Sequence, residues 1–179
     1  NNKIKYTGID LNSDLIKIVN KKYKDKNTQF FSMNINEDYK SIKKRKYDLI
    51  MGWAFFYCLE NYKEIIKNLL LNNCKKYLIF DLRMANIKKD IIDKNKSFTF
   101  YKNKKNRDVY VISSINSFKN FLNSNFKEII SECLMTGYIF PPSKNVVIKK
   151  NLCDPYIVSI IIKKGRSKNN INFDIKLPL

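Results

Sequence analysis

Up to about residue 85 the chain alternates strand-like apolar runs with polar turns and helix-spaced apolar stripes, and this alternation constrains its fold more than any single residue does. Residues 3–9 form the first apolar run. Asn12 or Ser13 then offers an N-cap for a helix over 14–24, where Leu15, Ile16, Ile18 and Val19 make one stripe. A second strand is expected over 28–33 and a third over 47–51, after the basic turn 43–46. From Glu60 the spacing of Tyr62, Ile65, Ile66, Leu69 and Leu70 is helical, and residues 76–82 read as another buried strand. Strands alternating with helices specify an α/β fold with a mostly parallel sheet, because parallel neighbours need a crossover.

The second half has a different character. Residues 84–112 read as an insertion, polar and Lys/Asn-rich, with Phe98 and Phe100 in a short hairpin against 109–112. A helix is expected over 117–122, capped by Ser114 or Asn116. Residues 126–138 and 156–163 follow as two strands with no helix between them, so they should pair antiparallel. One domain over 1–164 is expected, with 165–179 a polar tail ordered only by docking.

Composition narrows the chemistry. Net charge is +19, yet Arg occurs only at 45, 83, 107 and 166; the rest of the basic charge is Lys. Dominance of Lys, Asn and Ile reads as compositional drift, and Arg is the better reader of phosphate and guanine. Nucleic acid is therefore the weaker expectation for a partner, and the charge favours an acidic partner or substrate electrostatically. The chain has no His, which excludes imidazole bases and Cys/His metal sites of the usual spacing. Cys58, Cys74, Cys133 and Cys153 form no CxxC pair, and the apolar surroundings of Cys58, Cys74 and Cys133 suit reduced thiols in a reducing compartment. No run approaches the roughly 18 apolar residues of a membrane span, so a cytoplasmic protein is expected and no metal is.

In an open parallel sheet ligands bind beyond the carboxyl ends of the strands. Those ends are Asp10-Leu11, Asn34-Ile35, Gly52-Trp53 and Asp81-Leu82-Arg83. By residue type alone, Asp10 is also a solvated loop acid or helix cap, Trp53 a core residue, and Asp81 with Arg83 a local salt bridge.

In this order, TGIDLNSDLI, FFSMNI and KYDLIMGWAFFYCLENYKEIIKNLL resemble the class I S-adenosylmethionine-dependent methyltransferases. The later segments VYVISSINSFKNFL, TGYIFPP and CDPYIVSIIIKKG are similar to small bacterial members. The resemblance implies a Rossmann-like sheet closed by a C-terminal antiparallel hairpin, with S-adenosylmethionine as cofactor. It implies that Asp10 holds the ribose hydroxyls, Leu11 packs on the adenine, and Asn34 with the Ile35 amide meets the adenine edge. Gly52 and Trp53 would form the loop over the methyl donor. Asp81 would orient or deprotonate the acceptor, and Arg83 and Tyr138 would bind it. The family's first strand and Gly-rich loop would precede residue 1, which makes the sheet N-terminally incomplete; the four Gly, at 8, 52, 137 and 165, offer no internal substitute. The other readings are an RNA-binding or RNA-methylating protein, favoured if 43–45, 102–107 and 149–150 form one basic stripe, and a catalytically inactive methyltransferase-like fragment.

Overall fold

The computed structural model describes residues 4–100, 107–139, 143–149, 152–166 and 170–178. The chain forms two compact units, Asn1–Lys44 and Arg45–Leu179, where the sequence reading expects one domain over 1–164. In the ladders described below, the strands of each unit hydrogen-bond within that unit.

The first unit holds β1 (Tyr6–Asp10), α1 (Ser13–Lys22), β2 (Thr28–Ser32) and a short helix α2 (Ile35–Asp38), which runs into a tighter turn over Tyr39–Lys44. β1 and β2 pair in parallel, with Asp10 opposite Ser32. Asn12 starts α1, its side-chain oxygen accepting from the Asp14 and Leu15 N–H groups at 3.0 Å each. Asp14 in the first turn and Lys21 and Lys22 in the last complement the helix dipole.

The second unit opens with β3 (Tyr47–Gly52), a short turn at Phe56–Cys58, and α3 (Tyr62–Asn68), which widens into a π-type turn over Leu69–Asn73. Lys164 closes that turn by donating to the Leu70 and Cys74 carbonyls at 2.7 and 3.0 Å. β4 (Cys74–Ala85), β5 (Ser97–Thr99), β6 (Asp108–Val109) and β7 (Ser113–Ser114) follow. After them come α4 (Ile115–Phe126), β8 (Ile130–Ile139), β9 (Val146–Ile148), β10 (Tyr156–Lys164) and β11 (Asn172–Lys176). A six-stranded sheet runs β11-β8-β10-β4-β3, with β7 beside the end of β4. β3 and β4 are parallel, and β10 is antiparallel to both β4 and β8, as the reading of 126–163 requires.

Alternation along β4 decides where the core lies. Leu78, Phe80, Leu82 and Met84 share one face and are at most 1% exposed. Across the ladder they meet Val158, Ile160 and Ile162, and these in turn meet Gly137, Met135 and Cys133. Phe80 lies 5.2 Å from Phe56 and 6.2 Å edge-on from Phe118 of α4, ring centre to ring centre. On the opposite face Leu49, Met51 and Tyr77 stay 40–56% exposed.

Three segments take their form from packing. The helix expected over 117–122 extends to Phe126, because Phe118, Leu122 and Phe126, one turn apart, are all buried; the following strand therefore starts at Ile130 instead of 126. The polar tail is ordered by docking: β11 pairs in parallel with β8, and Lys119 of α4 sits 5.5 Å over the Phe173 ring. The hairpin in 84–112 is present as β5 against β6, but β9 adds a third strand to it from a stretch that reads as loop.

All four cysteines are free thiols. Burial pushes Cys133 from the ordinary 9.0 up to about 12, and burial followed by the nearby Asp108 charge pushes Cys58 up to about 11. Both folded values are raised, so the unfolded chain loses these protons first as pH rises and binds fewer of them. Stability should therefore be intact below about pH 9 and fall steadily towards about pH 12. Urea midpoints taken through that range should decline, and Cys133→Ala should flatten the decline; an unchanged slope in the variant rejects the assignment.

Candidate functional site

In the first unit β1 and β2 end side by side, which brings Asp10 and Leu11 next to Asn34 and Ile35. The Met33 N–H donates to the Asp10 carbonyl at 3.0 Å and ties the two ends together. One Asp10 carboxylate oxygen accepts from the Asn12 N–H at 2.7 Å, so the group is aimed rather than swinging. The other oxygen has no protein partner among the described residues. Leu11 is 69% exposed. Asn34 caps α2, its side-chain oxygen accepting from the Asn36 N–H at 3.2 Å. The Ile35 N–H, first in that helix, has no intrahelical acceptor.

In the second unit the loop leaving β3 and the last part of β4 converge. A Cβ on Gly52 would come within 2.8 Å of the Phe56 ring, which is packed against Phe55 and Phe80, so close approach requires glycine there. Trp53 is half exposed, and Ala54 is the one described non-glycine residue with a positive φ, 54°. Asp81 lies within β4, 4% exposed. One of its oxygens accepts from the Ala54 N–H at 2.5 Å and the other from Arg83 Nη1 at 2.6 Å.

Arg83 also donates from Nε to the Tyr110 hydroxyl at 3.0 Å, and its guanidinium stacks 4.3 Å over the Tyr57 ring. Tyr138 and Arg83 both stand opposite Ile157, so the three make one row across β8, β10 and β4. Burial pushes the Tyr110 phenol up, with Arg83 opposing it, and the Cys58 thiol is also raised. Both groups are neutral at neutral pH, so neither serves as a base there. The expectation of Asp81 as the deprotonating group meets a physical obstacle, since both of its oxygens are already engaged by Ala54 and Arg83.

Asp10, Leu11, Asn34 and Ile35 are thus brought together in one unit, and Gly52, Trp53, Asp81, Arg83 and Tyr138 belong to the other. The partners that fix Asp81 and Arg83, namely Ala54, Tyr57 and Tyr110, escape sequence reasoning because Tyr110 lies 27 residues from Arg83. One signal was available: an Arg between buried strand positions requires a local acceptor. The basic stretch 102–106, Lys150 and Pro141-Pro142 lie outside the described residues, as do the side chains of residues 43 and 44. Among the described residues no cluster of His, Cys, Asp and Glu is fit for a metal, and no helix is long and apolar enough to cross a membrane.

No family model and no curated protein sequence matches the chain. Solved structures do. A Listeria monocytogenes protein assigned as an S-adenosylmethionine-dependent methyltransferase superposes with a TM-score of 0.58 at 13% identity, over 89% of this chain and 80% of that one. An O-methyltransferase from a trans-AT PKS multienzyme of Brevibacillus brevis, in complex with S-adenosyl-L-homocysteine, gives 0.58 at 13% identity. The fold is that of the S-adenosylmethionine-dependent methyltransferases. The N-terminal domain of EvdMO1, solved in the presence of SAH and D-fucose, shares this methyltransferase fold with a TM-score of 0.56 at 10% identity. The chain covers 89% of itself in both of these matches but only 58% of the Brevibacillus protein and 66% of the EvdMO1 domain.

Proposed function

We propose that this protein transfers the methyl group of S-adenosylmethionine to a small-molecule acceptor. The observation that carries the reading is Asp10. Its carboxylate stands at the end of a parallel strand, one oxygen fixed by the Asn12 N–H and the other without a partner among the described residues, beside the capping Asn34 and the Ile35 N–H. That donor and acceptor set fits a nucleoside, whose ribose offers two hydroxyl donors and whose adenine edge offers one donor and one acceptor.

Bound S-adenosylmethionine supplies a methyl group already activated by its sulfonium. The protein's part is alignment, which suits a chain without His. Asp10 holds the ribose hydroxyls, Leu11 covers the adenine, and Asn34 with Ile35 reads its edge. Gly52 and Trp53 form the loop over the methyl donor, while Arg83 and Tyr138 face the acceptor.

Calorimetric titration of the complete gene product with S-adenosylhomocysteine tests the reading, and absence of binding rejects it. Asp10→Ala should weaken binding by about 1–3 kcal/mol through lost charge-assisted hydrogen bonds. Unchanged affinity in that variant rejects the role of Asp10 alone.

A further inference from the structure

The loop from Gly52 to Phe55 carries a conformation that its own sequence does not favour. Ala54 sits at φ 54°, in the left-handed region, which an alanine disfavours by about tenfold relative to ordinary backbone. Something outside the loop has to select it. The structure shows what does: the Ala54 N–H donates to the Asp81 carboxylate at 2.5 Å, across 27 residues of sequence.

The carboxylate is itself held. Arg83 Nη1 donates to its second oxygen at 2.6 Å, and Arg83 is fixed in turn by the Tyr110 hydroxyl at Nε and by the Tyr57 ring under its guanidinium. Hydrogen bonds with an ionised partner are about twice as strong as neutral ones, and Asp81 is 4% exposed, so water competes poorly for either oxygen. The order of support therefore runs from Tyr57 and Tyr110 to Arg83, from Arg83 to Asp81, and from Asp81 to the backbone of Ala54. Trp53 precedes that clamped amide directly and is 50% exposed.

We propose that Asp81 is a positioning residue, which acts through the Ala54 amide to hold the loop after β3 in the one backbone conformation that presents Trp53 to the ligand. Arg83 serves first as the support of this clamp. The inference rests on the reading of that loop as part of the methyl-donor site, and it replaces proton abstraction by loop selection as the task of Asp81.

Glycine adopts the left-handed region without help, which gives the test its discrimination. In the complete protein, Trp53 is read by acrylamide quenching of its emission wherever no other Trp is present, and by a Trp53→Phe control otherwise. S-adenosylhomocysteine affinity is read by calorimetry on the same samples. Asp81→Ala should increase quenching of Trp53 and weaken binding about tenfold, and adding Ala54→Gly to it should restore most of both. Asp81→Asn, which keeps a side-chain oxygen for the Ala54 amide but loses the acceptor for Arg83, should fall between the parent and Asp81→Ala in quenching.

If Asp81→Ala fails to fold, Ala54→Val provides the second route. A β-branched residue is excluded from the left-handed region, so Trp53 should loosen with Asp81 intact. Lack of rescue by Ala54→Gly, or a Trp53 signal unmoved by Ala54→Val, overturns the clamp. If the quenching pattern holds while the parent protein binds no S-adenosylhomocysteine, the clamp stands and the methyltransferase reading falls.

Discussion

Phe80→Ala is expected to destabilise the protein by about 3–5 kcal/mol, a large part of the roughly 5–15 kcal/mol available to a domain. Phe80 is fully buried at the centre of β4, with Phe56 on one side and Phe118 on the other. Ile160 of β10 and Gly52 of β3 flank it in the ladder. No neighbour is free to collapse into the space, since each is anchored in its own strand or helix, so a cavity term adds to the lost burial. Tyr77→Ala, on the same strand but the opposite face and 40% exposed, should cost under about 1 kcal/mol. Urea unfolding of the two variants checks the contrast, and equal costs would mean that the sheet is not buried on the face described.

The second large effect belongs to Asp90. Its side chain is 9% exposed and accepts from the Tyr62 hydroxyl at 2.8 Å, the Lys63 ammonium at 2.7 Å and the Ser114 N–H at 2.8 Å. Because Tyr62 gives its proton to Asp90, the contact of 2.7 Å between Tyr62 and Ser113 must have Ser113 as donor. Burial, then the Asp90 charge, pushes the Tyr62 phenol up, which keeps that proton in place. One carboxylate thus joins the segment after β4 to α3 and to the start of α4.

Asp90→Ala should cost about 3–5 kcal/mol, the usual result of leaving buried donors and a partly buried cation without their partner. Asp90→Asn keeps an acceptor for Ser114 and should fall between the two. For comparison, Asp14→Ala, which removes an ion pair whose side chains are 75–82% exposed, should cost under about 1 kcal/mol. Denaturant midpoints decide it, and similar losses at residues 14 and 90 would show that the buried network contributes nothing beyond surface charge.

These two sites mark a division in what could be read in advance. Phe80 and its strand are legible because the alternation of apolar residues survives in any context. The network at Asp90 joins residues 62, 63, 90, 113 and 114, whose separations carry no period, so nothing local announces it. The candidate ligand residues divide in the same way. Asp10, Asn34, Gly52 and Trp53 follow strand ends, and strand ends are local features. The engagement of Asp81 by Ala54 and Arg83 is a tertiary fact, and it changes the chemistry that Asp81 can perform.

By itself the sequence determined the alternation of strands and helices up to about residue 85, the Asn12 cap, the antiparallel return of 156–163 and the polar groups that stand at the strand ends. Each of these rests on interactions within a few residues or on a hydrophobic period. The tertiary structure alone decided that Phe126 belongs to a helix, that β9 joins β5, that the tail becomes β11, and that Asp81 holds a left-handed alanine. In each case the deciding energy comes from partners distant in sequence, whose proximity exists only after the chain has closed its loops.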